Sequence, residues 1–262
     1  MAEIGIIGGS GFYELLENAT EHVIDTPYGA PSDMLVTGIY AGREVAFLPR
    51  HGRGHTIPPH LVPYRANVWA LRSLGVTRVL APCAVGSLRA ELGLGTFVVL
   101  DQFVDRTRSR VQTFFDGPDV RHVAMADPYC PTMRQVAVDA LAAGNHPHAD
   151  GGTIVVIEGP RFSTRAESRW YAAQGWDVIG MTQVPEIPLL REAGLCAVGI
   201  ACVTDFDAGL AGLPDVPAVT HEGVMEAFAQ NVERLRSVLT EVVAGVPSER
   251  SCECEAAATG GH

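Results

Sequence analysis

Short β-branched runs alternate with longer stretches of helical spacing almost from one end of this chain to the other, and that alternation restricts the fold more than any other feature. Glu3-Ile4-Gly5-Ile6-Ile7 reads as a buried strand stopped by Gly8-Gly9. Residues 34–40 and 44–48 read as two strands of a hairpin around Ala41-Gly42. Helical spacing over 63–74 places Val68, Ala70, Leu71 and Leu74 on one face and ends at Gly75. Val79 opens another strand, which Ala84-Val85-Gly86-Ser87 is expected to turn. The pattern then predicts strands over 97–100, 152–158, 178–181 and 195–204 and helices over 131–143, 163–174, 184–193 and 220–243. Alternation of this kind predicts an α/β chain with a mixed, partly parallel β-sheet flanked by helices.

A sheet covered on both faces needs ample apolar residue, and 47% of the 262 residues are hydrophobic. Neither a repeat nor a linker divides the chain, so residues 1–246 are read as a single domain. Residues 247–262 are small and polar and are expected to be a disordered tail. The charged fraction is 19%, which suits a surface partly given over to subunit contacts. A net charge of -11 repels nucleic acid and anionic lipid, so neither is an expected partner. It leaves room for a phosphate substrate, because a few local cations and amides override the mean field.

No apolar run approaches the roughly 20 residues of a membrane span, and Met1-Ala2-Glu3 leads straight into the first strand without a secretion signal. The expected location is the cytoplasm, where Cys83, Cys130, Cys196, Cys202, Cys252 and Cys254 are reduced thiols. Their spacing is no zinc pattern, since only Cys252 and Cys254 are close, and no metal site is expected. A disulfide such as Cys130 with Cys196 is the alternative.

Three stretches carry chemistry. Gly8-Gly9-Ser10-Gly11 follows the first strand, where glycines let backbone amides approach an anion and Ser10 adds a hydroxyl; the same residues also make ordinary turns. Pro49-Arg50-His51-Gly52-Arg53-Gly54-His55 concentrates cations in an otherwise acidic chain, and Arg offers planar paired donors suited to phosphate, with His adding one more. Asp205-Phe206-Asp207 puts two carboxylates at the carboxyl end of a strand, where ligands of α/β sheets sit. On its own that pair also reads as a surface turn with a helix cap.

Seven stretches in order resemble the methylthioadenosine phosphorylase branch of the trimeric purine nucleoside phosphorylase family. They are Gly8-Gly9-Ser10-Gly11-Phe12, Pro49 to His55, Ala84-Val85-Gly86-Ser87-Leu88, Asp101-Gln102-Phe103-Val104-Asp105-Arg106-Thr107, Ile157-Glu158-Gly159-Pro160-Arg161-Phe162-Ser163-Thr164-Arg165-Ala166-Glu167, Met181-Thr182-Gln183-Val184-Pro185-Glu186 and Thr204-Asp205-Phe206-Asp207. The resemblance spans about residues 3–243 and implies the nucleoside phosphorylase fold. It implies phosphate held by Ser10, Arg50, His51, the Cys83-Ala84 turn and Thr182. Met181 would pack under the ribose and Phe162 against the purine, with Asp205 facing N7 and Asp207 the 6-amino edge. His122 would reach into a neighbouring subunit's sugar site, which implies a homotrimer.

The implied reaction is phosphorolysis of 5'-methylthioadenosine, with purine nucleoside and inorganic phosphate as partners and no cofactor. Asp205 acts as general acid on the leaving purine, which requires a raised pKa. Asp207 suits a 6-amino purine, where similar 6-oxopurine enzymes use asparagine. The sequence departs from the pattern at Cys83, where related enzymes often carry Thr or Asn. It departs again at His221, where methylthioadenosine enzymes tend to have a small apolar residue and ordinary purine nucleoside phosphorylases a histidine for the 5'-hydroxyl. The alternatives are a general purine nucleoside phosphorylase acting on adenosine or on inosine and guanosine, a non-catalytic nucleotide-binding protein on this fold, and a hydrolase using water.

Overall fold

The computed structural model describes residues 2–9, 16–210 and 220–258. In chain order the elements are β1 (Ile4–Gly8), β2 (Glu17–His22), β3 (Leu35–Tyr40), β4 (Arg43–Pro49), α1 (Tyr64–Ser73), β5 (Arg78–Ser87), β6 (Phe97–Val99), β7 (Gln102–Arg106), α2 (Pro131–Ala143), β8 (His148–Asp150), β9 (Thr153–Ile157), α3 (Arg165–Ala173), β10 (Val178–Gly180), α4 (Gln183–Glu192), β11 (Cys196–Phe206), α5 (His221–Gly245) and α6 (Cys254–Ala258). The strands form one mixed sheet in the order β2-β3-β4-β1-β5-β10-β9-β7, with β11 branching from β5 to β6 and β8. The predicted α/β architecture, a single domain with a partly parallel sheet between helices, is what the chain adopts.

The apolar runs of the sequence are explained by burial on both faces. Along β5, Val79, Ala81, Cys83 and Val85 join a core with Val68 and Leu71 of α1 and Ile187 and Leu190 of α4. Leu80, with Val198 and Ile200 of β11, faces the opposite core with Met133 and Leu141 of α2 and Leu239 and Val242 of α5. Among the described residues, no helix is long and apolar enough to cross a membrane.

Two expectations are corrected, and three strands, β2, β7 and β8, were not expected. Ala84-Val85-Gly86-Ser87 does not turn; β5 runs on to Ser87 because β11 pairs it in parallel and β10 in antiparallel up to that point. β2 was invisible in the sequence because its six residues, ENATEH, form the polar, largely exposed edge of the sheet. Residues 247–258 are not a disordered tail. Arg78 donates from Nη2 to the carbonyls of Pro247 and Ser248 (3.1 and 3.0 Å), and Arg250 donates to that of Gly194 (2.6 Å). α6 then buries Cys254 and Ala258. The same packing gathers Cys130, Cys196, Cys252 and Cys254, which looked scattered in the sequence, so that their sulfurs lie within 4.8 Å of one another.

Candidate active site

The carboxyl ends of parallel strands assemble the site. Gly8 pairs with Pro49 across β1 and β4, and the Arg50 amide donates to the Gly8 carbonyl (2.9 Å), so the Gly8-Gly9 loop and the Arg50-His51 loop leave the sheet side by side. β5 pairs with β1 and β11, setting Cys83 opposite Ala201 and Ala84 opposite Cys202. Ligands of open α/β sheets bind at such strand ends.

Arg50 is 3% exposed and grips Glu186 of α4 in a bidentate pair, Nε to Oε2 and Nη2 to Oε1, both 2.7 Å. Nη2 also donates to the Ile7 carbonyl (2.9 Å) and Nη1 to that of Pro82 (3.1 Å). Burial opposes the charge of Arg50, but Glu186 outweighs it and holds the pKa above the ordinary arginine value. Four of the five guanidinium N–H groups are thereby committed, and one on Nη1 remains among the described residues. Arg50 is therefore a bolt between α4 and the sheet. Thr182, 8% exposed, begins α4 without using its side chain as a cap. The Arg50–Glu186 pair ties that helix start to the Arg50 loop. Cys83 lies buried beside Arg50, and burial pushes its thiol up to about 12, so it is a neutral group.

His51 Nδ1 lies 2.9 Å from the Ile57 carbonyl, so this nitrogen carries the proton and donates. Burial and the neighbouring Arg50 charge lower the pKa to about 4. The ring is thus neutral near pH 7 with Nε2 as an acceptor, whereas the sequence suggested a donor.

At the other end of the site, β11 changes register between Val203 and Asp205. This bulge re-aims the strand end. Asp205 then lies opposite Gly86, and a Cβ on Gly86 would come 3.0 Å from Asp205 Oδ2 and 3.5 Å from Asp207 Cβ. Burial raises the Asp205 pKa to about 6; Asp207 adds to the rise, and a hydrogen bond from the Thr204 hydroxyl to Oδ1 (2.9 Å) opposes it. Asp207 is 2% exposed, and its pKa is raised by burial against the opposing influence of nearby Ser168 and Ser163. Neither serine reaches Asp207 Oδ2 with hydrogen-bond geometry, so that buried atom has no partner among the described residues. Buried carboxylate oxygens are rarely left so.

Met181, next to Thr182, packs against the loop before α3. Gly159, at φ +64°, approaches Met181 so closely that a Cβ would lie 2.6 Å from Sδ. Phe162 lies half-buried further along this loop, next to Ser163. Sequence reasoning missed two residues here. Arg110, whose side chain is 1% exposed, donates to the carbonyls of Met181 (2.7 Å) and Glu158 (2.6 Å) and to the Tyr64 hydroxyl (3.2 Å), fixing both segments. Glu186 lay inside a quoted motif, yet only the fold pairs it with Arg50.

Arg50, His51, Cys83, Ala84 and Thr182 thus gather at one end and Asp205 and Asp207 at the other, with Met181 adjoining Thr182 in sequence. His122 is exposed in the irregular segment before α2 and is not brought to this group within one chain. Ser10 lies outside the described residues. His221 is the first residue of α5, whose N-cap Thr220 accepts from the Gly223 amide (3.1 Å), but its side chain also lies outside them.

Comparison with known proteins shows the family. The sequence profile of the phosphorylase superfamily matches residues 3–244. A purine nucleoside phosphorylase of Streptomyces coelicolor is 57% identical over 99% of this chain and 95% of its own length. An S-methyl-5'-thioadenosine phosphorylase of Thermofilum pendens is 50% identical over 96% and 95%. Among solved structures, methylthioadenosine phosphorylase from Schistosoma mansoni in complex with adenine superposes with a TM-score of 0.91 at 41% identity, covering 99% of this chain and 96% of that one. With its sequence matching over nearly its whole length, this chain belongs to the phosphorylase superfamily.

Proposed function

We propose that the enzyme cleaves the N-glycosidic bond of 5'-methylthioadenosine with inorganic phosphate, giving adenine and 5-methylthioribose 1-phosphate. The observation that carries this reading is the orphaned, buried Asp207 Oδ2 beside an Asp205 whose pKa is raised to about 6. An adenine supplies what each lacks: its 6-amino group donates to Asp207, and its N7 takes the proton of Asp205. Phosphate attacks C1' as the C1'–N9 bond breaks, and the electron pair leaving with N9 makes the purine basic enough to accept that proton. The remaining Nη1 N–H of Arg50, the Thr182 hydroxyl and Ser10 donate to phosphate, with backbone near Cys83-Ala84 lining the same end. Neutral His51 accepts the O–H of a hydrogen phosphate dianion through Nε2, a role that needs no imidazolium.

Met181 packs under the ribose and Phe162 against the base. No cofactor is needed, because phosphate is itself the co-substrate. The exposed position of His122, away from its own site, suits a residue that completes a neighbour's sugar pocket in a homotrimer. We place the enzyme in the cytoplasm and in purine salvage.

A second reading, a general purine nucleoside phosphorylase acting on adenosine or on inosine and guanosine, is favoured by His221 and by the S. coelicolor relative, a purine nucleoside phosphorylase. Product analysis with methylthioadenosine, adenosine and inosine, each with and without phosphate, separates these. Equal cleavage in phosphate-free buffer would exclude phosphorolysis. His221→Val separates the two 5' groups: an unchanged ratio of methylthioadenosine to adenosine efficiency makes His221 a bystander, and a strong rise means the native pocket serves a 5'-hydroxyl.

A further inference from the structure

Four cysteines outside the active site come from three separate parts of the chain. Cys130 is the N-cap of α2, and its amide donates to the Ala197 carbonyl (2.8 Å), which places it at the start of β11. Cys196 is the first residue of β11 and is fixed through its own amide to the Thr77 carbonyl (2.9 Å). Cys252 precedes α6 and Cys254 opens it. Three of the four are at most 2% exposed. All four sulfurs lie within 4.8 Å of one another, and the Cys196–Cys252 pair is 3.2 Å apart.

We propose that Cys130, Cys196, Cys252 and Cys254 form a tetrathiolate site for one zinc ion. A tetrahedron with Zn–S bonds of about 2.3 Å has sulfur–sulfur edges of about 3.8 Å, inside the observed spread, whereas a disulfide requires about 2.05 Å. An all-sulfur, four-fold donor set selects zinc over magnesium or calcium. Four thiolates around Zn²⁺ carry two net negative charges, and two guanidiniums are in place to offset them. Arg191 Nη1 donates to Cys254 Sγ (3.5 Å). Arg250, held on the Gly194 carbonyl, has a buried Nε with no hydrogen-bond partner among the described residues. Binding exchanges four thiol protons for the metal ion.

The site's role is structural. No ligand belongs to the catalytic group, and the four close a loop that pins a short polar segment to the start of β11 and the end of α4. A five-residue helix such as α6 does not hold itself together in water. Metal coordination supplies the missing stability.

Metal analysis of the full-length protein, purified without a metal-affinity tag and under reducing conditions, tests this. About one zinc per chain is expected, with four thiols becoming titratable when a mercurial displaces it. Replacement by Co²⁺ should give the intense charge-transfer and ligand-field bands of a tetrahedral tetrathiolate. Cys252→Ser/Cys254→Ser should lose the zinc and lower Tm by several degrees while kcat is unchanged. Metal-free protein with all four thiols free, metal-free protein with thiols paired as disulfides, or iron in place of zinc would each overturn the assignment. These readouts come from the wild-type chain, so the test stands even if the double variant fails to fold.

Discussion

Gly86 and Asp205 face each other across β5 and β11 so closely that a side chain on Gly86 would press on its neighbours: its Cβ would lie 3.0 Å from the Asp205 carboxylate and 3.1 Å from Ile179 Cγ2, so each would have to give by a few tenths of an ångström. The glycine clears room for the acid. Gly86→Ala should therefore displace Asp205 and lower kcat about tenfold or more, because misplacement of a reacting group by a fraction of an ångström is costly. Stability should fall by only about 1–2 kcal/mol, the ordinary cost of local overpacking. Steady-state kinetics alongside thermal melts check this; equal loss of both would make Gly86 a folding residue only.

The raised pKa of Asp205 makes its contributions to stability and to activity fall together as pH rises, whereas replacing it should move the two in opposite directions. Its folded value, about 6, exceeds the ordinary 3.8, so the folded chain holds the proton more tightly than the unfolded one. Stability from this group is fully present below pH 3.8 and is lost as pH rises through about 6. Asp205→Asn removes the buried charge and should stabilise the free enzyme above pH 6, by up to about 2 kcal/mol. Turnover should fall about 10²-fold or more, with little change in nucleoside binding. The wild-type rate should also decline on the alkaline side as the acid ionises, and the variant should lack that limb. Loss of binding with intact turnover would reassign Asp205 to ground-state recognition.

Arg50 and Glu186 bear on phosphate and on folding together. Glu186→Gln leaves a buried guanidinium without its counter-charge and should cost about 3–5 kcal/mol. Arg50→Ala should both raise the KM for phosphate and destabilise the chain by a similar amount, since it strands Glu186. Arg50→Ala/Glu186→Ala, which removes both charges, should recover part of that stability but none of the phosphate affinity. Melts and phosphate titrations of the three variants decide it. If the loss in the double variant is the sum of the losses in the single variants, the pair has no coupling and the bolt is elsewhere.

The sequence made legible whatever depended on local pattern or on adjacent residues. α1 and α2 announced themselves by a periodic apolar face, and β1, β4 and β11 by apolar runs buried on both sides. Asp205 and Asp207 were visible because they sit two residues apart at a strand end. Arg50 was visible as a cation in a glycine-rich loop, but its commitment to Glu186 was not, because that pair spans 136 residues. Arg110 shows no local signal at all: it becomes important only when the loops carrying Met181 and Glu158 close around it. The cysteine cluster is the clearest case. Spacing rules detect metal sites built within one hairpin or helix, while Cys196 and Cys252 meet across 56 residues through the docking of a segment that composition alone suggested would stay loose. β2 failed for the opposite reason, since an exposed edge strand needs no apolar pattern.

The choice between 6-amino and 6-oxo purines should rest on one oxygen. Asp207 Oδ2 is buried and has no partner among the described residues, so, if it faces position 6 as proposed, as a carboxylate it would accept from a 6-amino group and repel a 6-oxo group. Inosine could bind only if Asp207 were protonated, and burial does raise its pKa. The sign follows: inosine cleavage, weak at neutral pH, should improve relative to adenosine as pH falls. Asp207→Asn replaces one acceptor oxygen with a donor amide of the same shape. It should lower kcat/KM for adenosine and methylthioadenosine by about 10²-fold while raising that for inosine, since a site built for one hydrogen-bond pattern rejects its inverse by such factors. Asp205 stays in place to protonate N7 in either base, so the swap should appear mainly in the ratio of efficiencies. If Asp207→Asn leaves the adenosine-to-inosine ratio unchanged, Asp207 does not read position 6, and the adenine preference must come from elsewhere in the pocket.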